Sequence, residues 1–272
     1  MTLPGPRLPW PAQRRPLSVV AFGNSVATLQ LPGRQDRSEG TYVEVLADVL
    51  AGEGVPAVPH LESRWFDFLV KAVADYESRV RVHAPDVVVV QFGLNEYQPW
   101  LLPIPVVRHL MVQNQAATRT ARAYRRLVAQ RLWKLVRTYR RAAAPRLGML
   151  TWQTTPRRFE RTLERFLRNV RMEARPLVLV LDIEPPSARL EHFLPGVGKR
   201  HAIYQELIER VVRAVDDPEV RLVRVSALTG ALGPEALPDG MHYAPATHEV
   251  VGRALADEVL RWLTERGSPG AG

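Results

Sequence analysis

With 272 residues, 46% of them hydrophobic, the chain can bury the core of one large α/β domain. It contains no cysteine, which excludes disulfides, thiolate chemistry and Cys-ligated zinc. No run reaches the ~18 apolar residues of a spanning helix, and the Pro- and Arg-rich first 16 residues have no apolar core of signal type, so the expected location is the cytoplasm. The net charge of +9 is unevenly spread: Val106 to Arg175 holds 18 basic and 3 acidic residues, a net of +15, whereas the remainder holds 19 and 25, a net of −6. An anionic partner is therefore expected to meet that segment.

Leu17 to Phe22 is a short β-branched run ending at Gly23 and predicts a buried strand. Thr41 to Leu50 has apolar residues at helical spacing and is stopped by Gly52 and Gly54. A weak strand at Val55 to Val58 and a helix over Phe66 to Val80 follow. Val87 to Phe92 (VVVVQF) carries the valine run expected of a strand covered on both faces. Further strands are predicted at Pro176 to Ile183 and Val220 to Val225, and helices at Arg158 to Glu173, His201 to Val215 and Ala246 to Thr264. This alternation predicts a single domain of α/β class: a three-layer α/β/α sandwich around a mainly parallel five-stranded sheet. The interval from about 97 to 155 is too long for one crossover. It opens on a proline-broken stretch and continues into a basic helix from about Ala116 to Ala143, in which Tyr124, Val128, Leu132, Leu135 and Tyr139 recur every three or four residues. We read it as an insertion.

Functional groups of a parallel sheet collect where strands end, because loops converge and helix N-termini point there. Three such ends carry polar residues suited to acyl transfer: Gly23-Asn24-Ser25, Gly93-Leu94-Asn95-Glu96 and Asp239-Gly240-Met241-His242. Each alone has an ordinary structural reading as a helix cap or turn. Their conjunction in this order is what points to chemistry. A serine hydroxyl attacks a carbonyl only when a base takes its proton, which makes Ser25 the candidate nucleophile and His242 the candidate base. Asp239, three residues before His242, can fix the imidazole tautomer and stabilise the imidazolium.

In these blocks the sequence resembles the SGNH (GDSL-like) hydrolase superfamily, whose first block is Gly-Asp-Ser after strand one, third Gly-x-Asn-Asp, and last Asp-x-x-His near the C-terminus. The resemblance implies a flavodoxin-like sandwich, a triad of Ser25, His242 and Asp239, and an oxyanion hole in which Asn95 joins the Ser25 N–H and a backbone N–H from a second-block glycine. Asn24 stands where the family has Asp, and Glu96 where it has a second Asp. The stretch after the second strand, Pro59 to Trp65, contains no glycine, so the donor there would be a main-chain N–H such as that of Ser63 or Arg64.

No cofactor is expected. Pro195-Gly196-Val197-Gly198-Lys199 lacks the first glycine of a phosphate loop, no Gly-x-Gly-x-x-Gly occurs, and His248-Glu249 lacks the second histidine of a zinc helix, so no metal is expected either. Trp65, Trp100, Trp133 and Trp152 are candidates for an acyl pocket or for ordinary core. The expected activity is hydrolysis of a small-molecule or carrier-bound acyl ester through an acyl-serine intermediate. Two alternatives stand beside it: an acyltransferase using the same triad, and a non-catalytic binding protein acting through the Arg-rich insertion. That insertion is read as a solvated face with its apolar stripe packed on the core, as a lid for an anionic substrate, or as a membrane-surface element. Nucleic acid is disfavoured as a partner, because no binding module accompanies the charge.

Overall fold

The computed structural model describes residues 15–27, 40–64, 66–99 and 153–267, together with residue 106 and helical residues between 124 and 139. The tails, the four tryptophans named above and most of the insertion lie outside the described residues.

Five strands form one all-parallel sheet in the order β2-β1-β3-β4-β5: β1 (Leu17–Gly23), β2 (Ala57–Ser63), β3 (Val87–Gln91), β4 (Leu177–Leu181) and β5 (Val220–Val223). Strands β1, β3 and β4 are buried at every residue, as their nearly continuous apolar runs require of a sheet covered on both faces. Edge strand β2 begins two residues later than its sequence suggests and runs five residues further, because Ala57 to Ser63 pairs in unbroken register with Leu17 to Gly23. The buried neighbour β1 holds it extended despite Pro59 and the polar residues that weaken its own strand signal.

The long helices cover the sheet. Helix α1 (Tyr42–Gly52) packs against the terminal helix α9 (Pro245–Gly267), while α5 (Pro156–Glu173) packs against α7 (Val197–Val215). Their apolar residues fall on one stripe, as in α5, where Phe159, Leu163, Phe166, Leu167 and Val170 are buried and the Thr155 hydroxyl caps the Arg158 N–H. The helix expected over Phe66 to Val80 is broken: Phe66 has a φ of +53°, and only α2 (Leu69–Ala72) and α3 (Tyr76–Arg79) are α-helical, joined by a tighter turn. Three short helices were not expected, α4 (Leu94–Tyr97), α6 (Ala188–Phe193) and α8 (Val225–Gly230), each too short to carry a periodic signal.

In this strand order the chain reverses direction between β1 and β3, and a crevice opens there at the carboxyl ends. Ser25 follows β1 and Asn95 follows β3, so two of the blocks singled out in the sequence flank that point.

Candidate active site

Gly23, the last residue of β1, lies against the end of β3 so closely that a Cβ would fall 2.7 Å from the Gln91 carbonyl oxygen. The Asn24 N–H donates to that same oxygen at 3.2 Å, and the Asn24 side-chain oxygen accepts the Val26 N–H at 3.1 Å. This Asx turn carries Ser25 into a single tight helical turn, Ser25–Ala27, all of it buried.

From the other end of the chain, the loop before α9 brings His242 to Ser25. The Ser25 Oγ lies 3.0 Å from His242 Nε2, although 217 residues separate them. His242 Nδ1 lies 2.5 Å from Asp239 Oδ2, and Asp239 Oδ1 accepts the N–H groups of Met241 at 2.9 Å and His242 at 2.8 Å. Burial alone would raise the Asp239 pKa, but the imidazole and the two backbone donors outweigh it and hold it down at about 2. A carboxylate ionised at neutral pH accepts the Nδ1 proton and leaves the Nε2 lone pair facing the serine hydroxyl. The arrangement can therefore take a proton from Ser25 and hold the resulting imidazolium.

Asn95 is buried on α4, and its Nδ2 donates to the Asp67 carbonyl at 2.8 Å, which fixes the plane of the amide. Gly93 precedes it with a φ of +126°, where an L side chain would be strained and would run into Ile183. Glu96 is fully buried and braces the loop from both sides, accepting the Gly93 N–H at 2.9 Å and the Leu69 N–H at 2.6 Å. The carboxylate in the third block thus ties the end of β3 to the segment after β2.

In that segment one of the main-chain donors expected from the sequence is already committed. The Arg64 N–H faces the Gly23 carbonyl at 3.4 Å and so extends the β1–β2 pairing. The backbone takes its left-handed conformation two residues later, at Phe66. Asp67, next in the chain, is clamped by the fully buried Arg79, whose guanidinium also donates to the Glu62 carbonyl. Sequence reading missed Arg79 altogether.

A second buried polar chain runs beneath the histidine loop. Thr229 Oγ1 and the Tyr243 hydroxyl both donate to Glu184; Gln91 Nε2 donates to that hydroxyl at 3.1 Å, and the Tyr42 hydroxyl to Gln91 at 3.1 Å. A cavity of about 20 Å³, room for one water-sized group, is lined by Asn24, Val26, Leu94, Glu184, Met241 and Tyr243 among others. Five of these adjoin Ser25, Asn95 or His242 in the chain.

Burial raises both Glu96 and Glu184 to about 7, against the opposing hydrogen bonds each receives. The folded protein then keeps these two protons over a range, from about 4.5 to 7, in which the unfolded chain has released them. Stability is therefore expected to fall as pH rises through that window, by at most about 1.4 kcal/mol per pH unit for each group. Thermal unfolding at pH 5, 6, 7 and 8 checks the sign, and Glu96→Gln should flatten the slope. A midpoint that rises across that range would contradict it.

Among the described residues no cluster of three or more His, Cys, Asp or Glu could hold a metal ion, and no helix is long and apolar enough to cross a membrane.

A five-stranded parallel sheet in this order is of the flavodoxin-like kind, and comparison with solved structures shows the SGNH hydrolase fold. The chain is similar to a lipase/acylhydrolase from Enterococcus faecalis, at 15% identity over 89% of this chain and 95% of that one, with a TM-score of 0.60. It is similar to a candidate GDSL-like lipase from Parabacteroides merdae, at 12% identity over 90% and 95% of the two chains (TM-score 0.57). It is also similar to a mutant of an acetyl-xylooligosaccharide esterase from a Geobacillus species, at 14% identity over 89% and 94% (TM-score 0.56). No protein-family model and no curated protein matches the sequence.

Proposed function

We propose that the protein is a serine-dependent ester hydrolase. The observation that carries this reading is the relay from Ser25 Oγ through His242 to Asp239, with contacts of 3.0 Å and 2.5 Å. Ser25 Oγ attacks the ester carbonyl carbon as its proton passes to His242 Nε2. The tetrahedral intermediate collapses to an acyl-serine, and the departing alcohol takes the proton from the imidazolium. Water, activated by the same histidine, then hydrolyses the acyl-enzyme and restores Ser25. The Ser25 N–H, the Asn95 amide and a main-chain donor from the segment after β2 receive the developing negative charge. The esterase and lipase names of the structural neighbours support this reaction class.

Intact-mass analysis after treatment with a fluorophosphonate at neutral pH tests the proposal. One adduct is expected on the wild type and none on Ser25→Ala. A folded wild-type protein that takes up no adduct would overturn the reading and favour the non-catalytic alternative. Asn95→Ala should lower kcat on a nitrophenyl ester by about 10²- to 10³-fold with a smaller change in KM, because the donor acts mainly on the transition state. Steady-state kinetics at fixed pH decides it, and an unchanged kcat would remove Asn95 from the donor set.

A further inference from the structure

The stripe of Tyr124, Val128, Leu132, Leu135 and Tyr139 is not packed on the core. Together with Leu127, all five are exposed, at between 42% and 68% of their surface. The described residues from Tyr124 to Tyr139 are helical, with a wide turn over Arg125–Ala129, and Ala129 is buried. Of the ten large apolar residues exposed among the described residues, six lie on this one segment, whereas Val58, Val82, Val106 and Met172 are scattered singly. Scattered apolar residues need no explanation, but a contiguous exposed face calls for a partner.

Charge identifies the partner. Residues 97–155 contain eleven basic residues and no acidic one, so the whole of the chain's positive excess originates here. By contrast Arg168 and Arg171, further along the basic run, are paired with Glu164, Asp217 and Glu219. Arg131 and Lys134 are exposed on the same helical segment as the apolar stripe. A second copy of the chain would bring two such segments into mutual repulsion, and a nucleic acid would meet leucines and valines that phosphates cannot engage. A bilayer rich in anionic lipid satisfies both faces: its acyl boundary takes the apolar side chains and its phosphates take the cations.

We propose that the described helical residues between 124 and 139 dock the protein on an anionic lipid surface, with Leu127, Val128, Leu132 and Leu135 entering the headgroup–acyl boundary. The segment acts as a peripheral anchor, and this role does not depend on the proposed esterase activity.

Flotation of the full chain with vesicles tests it, comparing phosphatidylcholine alone with phosphatidylcholine containing phosphatidylglycerol. The wild type should float with the anionic vesicles and stay behind with the neutral ones. The variant Leu127→Ser/Leu132→Ser/Leu135→Ser, whose changes lie on exposed residues, should keep the wild-type melting midpoint and lose at least about tenfold in vesicle affinity. The variant Arg131→Gln/Lys134→Gln should weaken binding to anionic vesicles by about fivefold per charge removed. Folded wild-type protein that floats with neither vesicle overturns the proposal, as do variants that bind like the wild type. A wild-type dimer in sedimentation that the triple-serine variant abolishes would assign the stripe to self-association instead.

Discussion

Replacing His242 with alanine is expected to lower kcat/KM on an activated ester by about four orders of magnitude or more while leaving the fold intact. The size follows from what the imidazole does. It is the group in contact with Ser25 Oγ, and without it the hydroxyl must lose its proton to water. The loss should fall chiefly on kcat, because proton transfer belongs to the transition state and contributes little to binding the ester. Asp239→Asn should cost less. Asn keeps an oxygen to accept the Met241 and His242 N–H groups that Asp239 now accepts, so the loop keeps its shape. What it loses is the charge that holds the Nδ1 proton and stabilises the imidazolium. With its pKa held near 2, Asp239 remains ionised across the neutral range of such an assay, so its protonation contributes no acid limb there. Stopped assays on a nitrophenyl ester, with the same variants checked by circular dichroism, provide the measurement. A His242→Ala protein that keeps more than about a tenth of wild-type kcat/KM would remove the histidine from the base role, since general-base catalysis is worth at least about a hundredfold.

Ser25 and Asn95 were readable in the sequence because each follows a strong strand signal, whereas Asp239 and His242 were readable as a polar turn ahead of the terminal helix, with α8 and a tight turn between them and the last strand. The runs at Leu17 and Val87 are apolar but for Ser18 and Gln91, a pattern that a sheet covered on both faces maintains, and the polar blocks after them lie at the strand ends. The supporting structure was not readable, for a different reason in each case. Arg79 and Asp67 are twelve residues apart in a stretch that reads as one helix, and sequence does not reveal that the helix breaks and turns an arginine inward. Phe66 takes a backbone conformation that glycine favours, so a search for glycine passes over the position. The stripe on 124–139 reports amphipathicity correctly, but periodicity is silent on what covers the apolar side; packing on the core was the ordinary reading, and the exposure of all five residues overturns it.

Arg79→Met is expected to destabilise the protein by about 3–5 kcal/mol in urea unfolding, a loss far larger than removal of a surface ion pair would give. Arg79 and Asp67 are both buried, their charged atoms 2.6 Å apart, and the guanidinium also lies 5.0 Å from the centre of the Phe22 ring. Methionine fills much of the space of the arginine stem but leaves the Asp67 carboxylate without its counter-charge and the Glu62 carbonyl without its donor. Most of the cost is therefore the stranded carboxylate. It follows that Asp67→Asn introduced into the Arg79→Met background should recover a substantial part of the loss, even though it removes a second member of the pair. The pair also bears on the proposed chemistry, because the carbonyl that fixes the Asn95 amide belongs to Asp67. If Arg79 acts as a positioning residue through Asp67, the Arg79→Met protein should, under conditions where it remains folded, lose kcat in the manner of Asn95→Ala while KM changes less. A purely structural role predicts the same unfolding result with an unchanged kcat for the folded fraction. A double-mutant cycle in both stability and kcat separates the two, and destabilisation below about 1 kcal/mol would mean that solvent reaches this pair and that it behaves as a surface ion pair.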